Sequence, residues 1–63
     1  MPETNRRKVI ARLQRGGWQL VHGGEHDKFT HPDQPGILIV VPWHRELSMG
    51  VARSIARQAG WLN

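Results

Sequence analysis

The sequence predicts an α+β fold in which a three-stranded antiparallel sheet carries two helices on one face, in the order α-β-β-β-α. Apolar residues recur at helical spacing near both ends of the chain. Three stretches between them have the alternation or the β-branched composition of strands, and turn-forming residues separate these stretches. Because 63 residues suffice for one core only, we expect a single domain over residues 1–63.

The first predicted helix begins after Thr4 or Asn5, either of which can cap its N-terminus, and ends at Gly16-Gly17. Its apolar stripe consists of Val9, Ile10 and Leu13. The other faces carry five cations, Arg6, Arg7, Lys8, Arg12 and Arg15. Solvation is the simpler interpretation of each cation, and contact with a phosphate is the alternative.

The centre of the chain is predicted to form a β-hairpin. Residues 18–22 alternate apolar and polar and form the first strand, and residues 26–31 form the second. Gly23-Gly24 between them suits a two-residue turn, because glycine accepts the positive φ angles that such a turn requires. His26 then opens the returning strand, so we expect the sheet to hold it in place.

The register of this hairpin decides which side chains share a face. The two-residue turn pairs Val21 with His26, Gln19 with Lys28, and Trp18 with Phe29. Since side chains alternate along a strand, His26 and Lys28 then share the solvent side, opposite Trp18, Leu20 and Phe29. A three-residue turn would instead place Gln19 opposite Phe29, which is a poorer apolar match.

The second half of the chain predicts a turn, a strand and a helix. Residues 32–36 (Pro-Asp-Gln-Pro-Gly) have turn composition, and residues 37–41 form a third strand that is apolar on both faces. Its outward face either contacts another protein or is covered by loops. Ser48 can cap a second helix that runs to about Ala59 and stops at Gly60. We expect its inward face to be Ala52, Ile55, Ala56 and Ala59, with Trp61 and Leu62 folding back over the core.

Composition excludes several classes of function. Without cysteine, disulfides and thiolate metal sites are absent. The core is too thin for a deep pocket, so any chemistry is expected on an open surface with a large substrate. Nine Lys and Arg oppose five Asp and Glu, and the predominance of arginine favours phosphate. The longest apolar run is too short to span a membrane and the N-terminus is too charged for a signal peptide, so we expect a cytoplasmic protein.

Four segments of the chain match one family in order and spacing. They are Gly16-Gly17-Trp18, residues 24–29 (Gly-Glu-His-Asp-Lys-Phe), residues 40–44 (Val-Val-Pro-Trp-His) and residues 55–60 (Ile-Ala-Arg-Gln-Ala-Gly). With them the chain resembles the HicA toxins of bacterial toxin-antitoxin pairs, which are small mRNA interferases. The predicted element order is also the topology of double-stranded RNA-binding domains.

The resemblance implies a catalytic role for His26, which matches the family's active histidine. The residue before that histidine is usually Ser or Asn, whereas here it is Glu25. The resemblance also implies an RNA substrate and a HicB-type antitoxin as protein partner. Histidine can take the proton of the ribose 2′-hydroxyl and later serve as an acid, so cleavage needs no metal or other cofactor.

Further residues are predicted to contact RNA. Lys28 lies two residues from His26 on the same predicted face and can meet the charge that develops on phosphate. Arg53 and Arg57 are spaced to straddle a phosphate backbone, or are simply solvated. His44 matches a recurrent family position and is a candidate second acid or base, with His22 as a weaker one. A loop histidine bonded to backbone is the simpler interpretation of His44.

Two other functions compete with RNA cleavage. His22, His26 and His31 form the tightest histidine group, but a turn intervenes and no fourth metal ligand is evident. A non-catalytic double-stranded-RNA-binding module is the second alternative. Such modules carry a basic cluster at the start of the last helix, and residues 47–51 contain no Lys or Arg.

Overall fold

The computed structural model describes residues 2–21 and 26–61. It contains, in chain order, α1 (Arg6–Arg15), β1 (Gln19–Val21), β2 (Asp27–His31), β3 (Gln34–Val41) and α2 (Met49–Gln58). The strands form one antiparallel sheet in the order β1-β2-β3. Both helices pack on the same face of this sheet, so the predicted α-β-β-β-α fold is confirmed.

Both helices begin at the predicted capping residues. The side chain of Asn5 accepts a hydrogen bond from the Lys8 amide (3.1 Å), which makes Asn5 rather than Thr4 the cap of α1. Ser48 Oγ accepts from the Val51 amide (3.2 Å) at the start of α2. Each cap satisfies an amide that has no partner within its own helix, which fixes where the helix starts.

Both helices also end in the same way, with a glycine followed by a tryptophan. Gly17 (φ +93°) and Gly60 (φ +81°) adopt the left-handed conformation. The next amide then bonds back to the last turn, from Trp18 to the Leu13 carbonyl (3.0 Å) and from Trp61 to the Ala56 carbonyl (2.8 Å). This is the Schellman arrangement, in which the residue after the glycine packs against the helix.

One apolar core joins the helices to the inner face of the sheet. The helices contribute Val9, Leu13, Ala52, Ile55 and Ala56, and the remaining buried apolar residues are Trp18, Phe29, Ile39, Val41 and Leu47. Trp61 packs against this core as predicted, and Ile10 and Ala59 are half-buried at its margin. Leu62, which was predicted to do the same, lies outside the described residues.

The register of the first strand pair differs from both predictions. Leu20 pairs with Phe29 and Val21 with Lys28, so Val21 does not face His26. Trp18, which we predicted to lie in the first strand opposite Phe29, instead uses its amide to end α1, and its ring packs edge-on against His31 (centroids 5.2 Å apart). The displacement amounts to two residues and therefore keeps the paired side chains, Lys28 among them, on their predicted faces. The predicted Gly23-Gly24 turn lies outside the described residues.

β3 is longer than predicted and begins inside the predicted turn. Only Pro32 and Asp33 form the turn, and the strand already includes Pro35 and Gly36. β3 lies at the edge of the sheet, where a residue without an amide hydrogen is tolerated. The pairing with β2 is also irregular between Phe29 and His31. On the outward face of β3, Leu38 and Val40 are 46% and 38% exposed, so the strand is open to solvent there.

His31 connects the end of α1 to the β2–β3 turn. Its Nδ1 accepts a hydrogen bond from the Asp33 amide (3.0 Å), so its Nε2 carries the proton that is donated to the Gly16 carbonyl (2.9 Å). A Cβ built on Gly17 would lie only 2.8 Å from this Nε2. Gly17 is therefore required both for its positive φ and for the close approach of His31.

We predict that Gly17→Ala destabilises the protein more than Gly60→Ala. Both substitutions place an alanine in the left-handed conformation, at a cost of about 1–2 kcal/mol. Only Gly17→Ala also displaces His31 and its bond to Gly16, which adds about 1 kcal/mol, whereas nothing lies within 4 Å of a Cβ at Gly60. Urea denaturation of the two variants beside the wild type measures the difference. Equal losses would show that the contact with His31 contributes nothing.

Candidate functional site

An open groove of about 860 Å³ lies at the end of the sheet where β2 begins and β3 ends. Its lining is rich in cations and consists of Asn5, Arg6, Arg7, Lys8, Asp27, Trp43 and Arg45. Four cations thus face one carboxylate, a surplus of three positive charges. Such a surface attracts anions, and among biological anions a phosphate backbone presents the most repeated charge.

Three separate segments of the chain meet in this groove. The first turn of α1 supplies Arg6 to Lys8, the start of β2 supplies Asp27, and the loop between β3 and α2 supplies Trp43 and Arg45. Backbone contacts fasten the loop to the N-terminal segment. The Arg6 amide donates to the Arg45 carbonyl (3.0 Å) and the Leu47 amide donates to the Thr4 carbonyl (2.8 Å).

Arg6 is the structural centre of the groove. Its guanidinium forms an ion pair with Asp27, and its Nε donates to the Pro42 carbonyl (2.9 Å). Both side chains of the ion pair are about three-quarters buried, at 23% and 24% exposure. Arg6 therefore ties α1 to β2 and to the loop after β3. The exposed cations that remain for a ligand are Arg7, Lys8 and Arg45.

The first turn of α1 is basic although helix electrostatics disfavour this. The N-terminus of a helix carries partial positive charge, so a cation there typically costs about 0.3–1 kcal/mol. α1 nevertheless begins with Arg6, Arg7 and Lys8 and has no acidic residue in that turn. The arrangement fits a surface that serves a ligand better than one that only keeps the protein in solution.

His26 lies directly before the strand that begins at Asp27. We predicted it as the first residue of that strand, and the structure places it at a bend one residue earlier, with its side chain exposed. Asp27, its neighbour, lines the groove and faces α1. Through Asp27, His26 lies next to the end of the domain that carries the groove. Glu25, the departure from the family pattern, and His22 lie outside the described residues.

The other residues predicted for the site lie in three parts of the structure, namely β2, the loop after β3, and α2. Lys28 pairs with Val21 and Val40 on the sheet face away from the helices and is half-buried. His44 is exposed in the loop next to Trp43, and its ring makes no hydrogen bond to any residue of 2–21 or 26–61. The predicted bond from this ring to backbone is therefore not found among them.

Arg53 and Arg57 lie on the exposed face of α2 and do not line the groove. Sequence reasoning used Trp43 only as part of a family motif and gave it no role, and for Arg7 and Lys8 it favoured solvation over phosphate contact. One signal could have indicated a ligand-binding role for those two cations. They lie in the first helical turn after the Asn5 cap, where positive charge is disfavoured.

Of the three histidines that suggested a metal site, His22 lies outside the described residues and His31 is used within the fold. Both ring nitrogens of His31 are already bonded within the protein, to Gly16 and Asp33. Across residues 2–21 and 26–61, no three His, Asp or Glu side chains are grouped so as to hold a metal ion. In the same residues, neither helix has the length and apolar character that crossing a membrane requires.

The fold and the groove define a small basic α+β protein whose surface is suited to a polyanion. A family model described as the HicA toxin of bacterial toxin-antitoxin systems matches residues 6–61 of the 63. The chain belongs to the HicA toxin family, as the sequence motifs predicted. A search of curated proteins gave no significant match.

We predict that Arg6→Met lowers the free energy of unfolding by about 1.5–3 kcal/mol. The substitution removes the bond to Pro42 and leaves the Asp27 carboxylate without its partner in a mostly buried position. Arg7→Met is the matched control, because Arg7 is an exposed neighbour in the same helical turn and its loss relieves repulsion with the helix dipole. Thermal and urea unfolding measure both variants. Arg6 would have no structural role if the two behaved alike.

Proposed function

We propose that this protein is the toxin of a type II toxin-antitoxin system and acts as a metal-independent mRNA interferase with His26 as its catalytic acid and base. The observation that carries the proposal is an exposed imidazole directly before Asp27, which itself lines a groove with three surplus cations. Family membership supports the assignment independently of the groove. Cleavage of mRNA would arrest translation and growth.

The proposed reaction uses the nucleophile that RNA itself carries. His26 takes the proton of a ribose 2′-hydroxyl, and the 2′-oxygen attacks the adjacent phosphorus while the bond to the 5′-oxygen breaks. The imidazolium then returns a proton to the leaving 5′-oxygen, so the products are a 2′,3′-cyclic phosphate and a 5′-hydroxyl. A positioned proton-transfer group typically contributes about 10²- to 10⁴-fold in rate. DNA has no 2′-hydroxyl and is not a substrate.

The charge that develops on the phosphate requires cations near the reacting atoms. Lys28 on β2, Arg53 and Arg57 on α2, and His44 in the loop are the RNA contacts that the sequence predicted, and we retain them as proposals. Arg7, Lys8 and Arg45 are exposed in the groove and supply positive charge at the end of the domain where His26 lies. Such preorganised charge stabilises the transition state more than it does the substrate. His44 is the proposed second acid or base.

A HicB-type antitoxin is the proposed protein partner. The proposed compartment is the cytoplasm, because the proposed substrate is mRNA. Binding of the antitoxin would suppress the activity in growing cells. We expect a small antitoxin reading frame beside the gene, and co-expression of the two should yield a stable complex without growth arrest.

We predict that His26→Ala abolishes RNA cleavage and growth arrest while the protein stays folded. His26 is exposed, so its removal costs little stability, and circular dichroism should be unchanged. The assay incubates purified, antitoxin-free protein with RNA in the presence of a chelator and follows the cleavage products. His44→Ala is the comparison, with a smaller loss of rate expected from a secondary role.

Two outcomes would contradict this proposal. Undiminished cleavage by His26→Ala would remove the histidine from the mechanism. Tight binding of duplex RNA without any cleaved product would instead favour the double-stranded-RNA-binding module. A parallel reaction on a strand with a single 2′-deoxy position tests the nucleophile, because cleavage should fail at that position alone.

A further inference from the structure

Trp43 is the most exposed of the large apolar side chains among the described residues, with 61% of its surface open. The other two tryptophans follow the glycines that end the helices, and Trp18 is buried while Trp61 packs against the core. Trp43 has no such packing role. Aromatic side chains commonly line ligand sites, and in proteins that bind single-stranded nucleic acid they serve as platforms for bases.

We infer that Trp43 and the exposed groove cations form a binding subsite for single-stranded RNA, in which a base stacks on the indole and flanking phosphates contact Arg7, Lys8 and Arg45. The inference rests on the proposed function and adds to it a class of substrate and a residue that holds it. A groove of about 860 Å³ falls in the size range of sites that hold small ligands, so it has room for a nucleotide.

The chemistry of the groove matches that of proteins that bind single strands. These proteins combine a positively charged groove along the backbone with aromatic side chains on which bases stack. Here the cations and the indole line one groove. Among the described residues a guanidinium covers Trp61, where Arg12 lies 4.3 Å from the ring centroid, and none covers the face of Trp43.

The Trp43 indole is the feature of the groove that discriminates between single-stranded and duplex RNA in this proposal. A base within a duplex is already stacked on both sides and can reach an exposed indole only after it leaves the helix. Arginine and lysine alone would bind either form through phosphate. Trp43 therefore favours unpaired RNA, which is the form in which a ribose 2′-oxygen can most easily align for attack on its own phosphate.

The subsite also lies beside the proposed catalytic residues in the chain. Trp43 precedes His44, and it shares the groove with Asp27, the neighbour of His26. A base held on Trp43 would fix which part of the strand lies at the His26 end of the domain. Trp43 is thus a substrate-binding residue, and we expect its loss to affect binding of the substrate more than the proton transfer itself.

The test measures binding separately from cleavage. In a His26→Ala background, a labelled single-stranded oligoribonucleotide is titrated and its fluorescence anisotropy is followed. Trp43→Ala should weaken binding by about 5- to 140-fold, the range expected for one stacked base, and Trp43→Phe should retain most of the affinity. Because Trp43 is exposed, both variants should unfold at the same urea concentration as the parent.

Two controls separate stacking from charge. An oligoribonucleotide with abasic positions should bind Trp43→Ala and its parent equally, since it offers no base to stack. Arg45→Ala should reduce the slope of log affinity against log salt by about 0.7, the value for one phosphate contact on a single strand, whereas Trp43→Ala should leave that slope unchanged. Duplex RNA of the same sequence should lose little affinity in Trp43→Ala.

Unchanged affinity of Trp43→Ala for the single strand would overturn the inference. Loss of antitoxin binding in Trp43→Ala, with RNA affinity intact, would also overturn it and would assign the groove to an acidic segment of the partner. The inference and the proposed function fail separately. If His26→Ala still cleaves RNA but Trp43→Ala binds it poorly, the subsite stands and the catalytic assignment falls. If His26→Ala no longer cleaves RNA but Trp43→Ala binds it as tightly as its parent, the catalytic assignment stands and the subsite falls.

Discussion

The contacts of Arg6 hold together the end of the domain that carries the groove. Its side chain reaches Asp27 on β2 and the carbonyl of Pro42, and its amide donates to the carbonyl of Arg45. These bonds fix α1, β2 and the loop after β3 relative to one another, and they lie outside the apolar core. A chain of 63 residues has little core to position a loop by packing, so polar bonds of this kind do so instead.

The parts of the fold that could be predicted are those set by local chemistry. Asn5 and Ser48 begin the helices because their side chains accept a backbone amide, and Gly17 and Gly60 end them because glycine adopts positive φ. Each signal lies within a few residues of the feature it determines. The element order and most of the buried residues follow from these boundaries together with the spacing of the apolar side chains.

The parts that could not be predicted depend on contacts between distant segments. Trp18 suits a strand by composition, but its amide ends α1, and the strand pair adopts a register two residues away from the predicted one. Pro35 indicates a turn, yet it is accommodated because β3 is an edge strand. The groove was missed for the same reason. Its residues are brought together by the bonds of Arg6, which no pattern along the chain reveals.

Two histidines, His26 directly before β2 and His31 at its last position, show how structure separates residues that sequence treats alike. At one end, His31 has both ring nitrogens bonded and holds a turn against α1. At the other end, His26 is exposed and adjoins a groove with a surplus of cations. That end also receives the N-termini of both helices, since the Asn5–Glu46 bridge joins the segments that precede them. Helix dipoles and cations of the same sign therefore accumulate there, which opposes folding, and a bound polyanion would offset this repulsion.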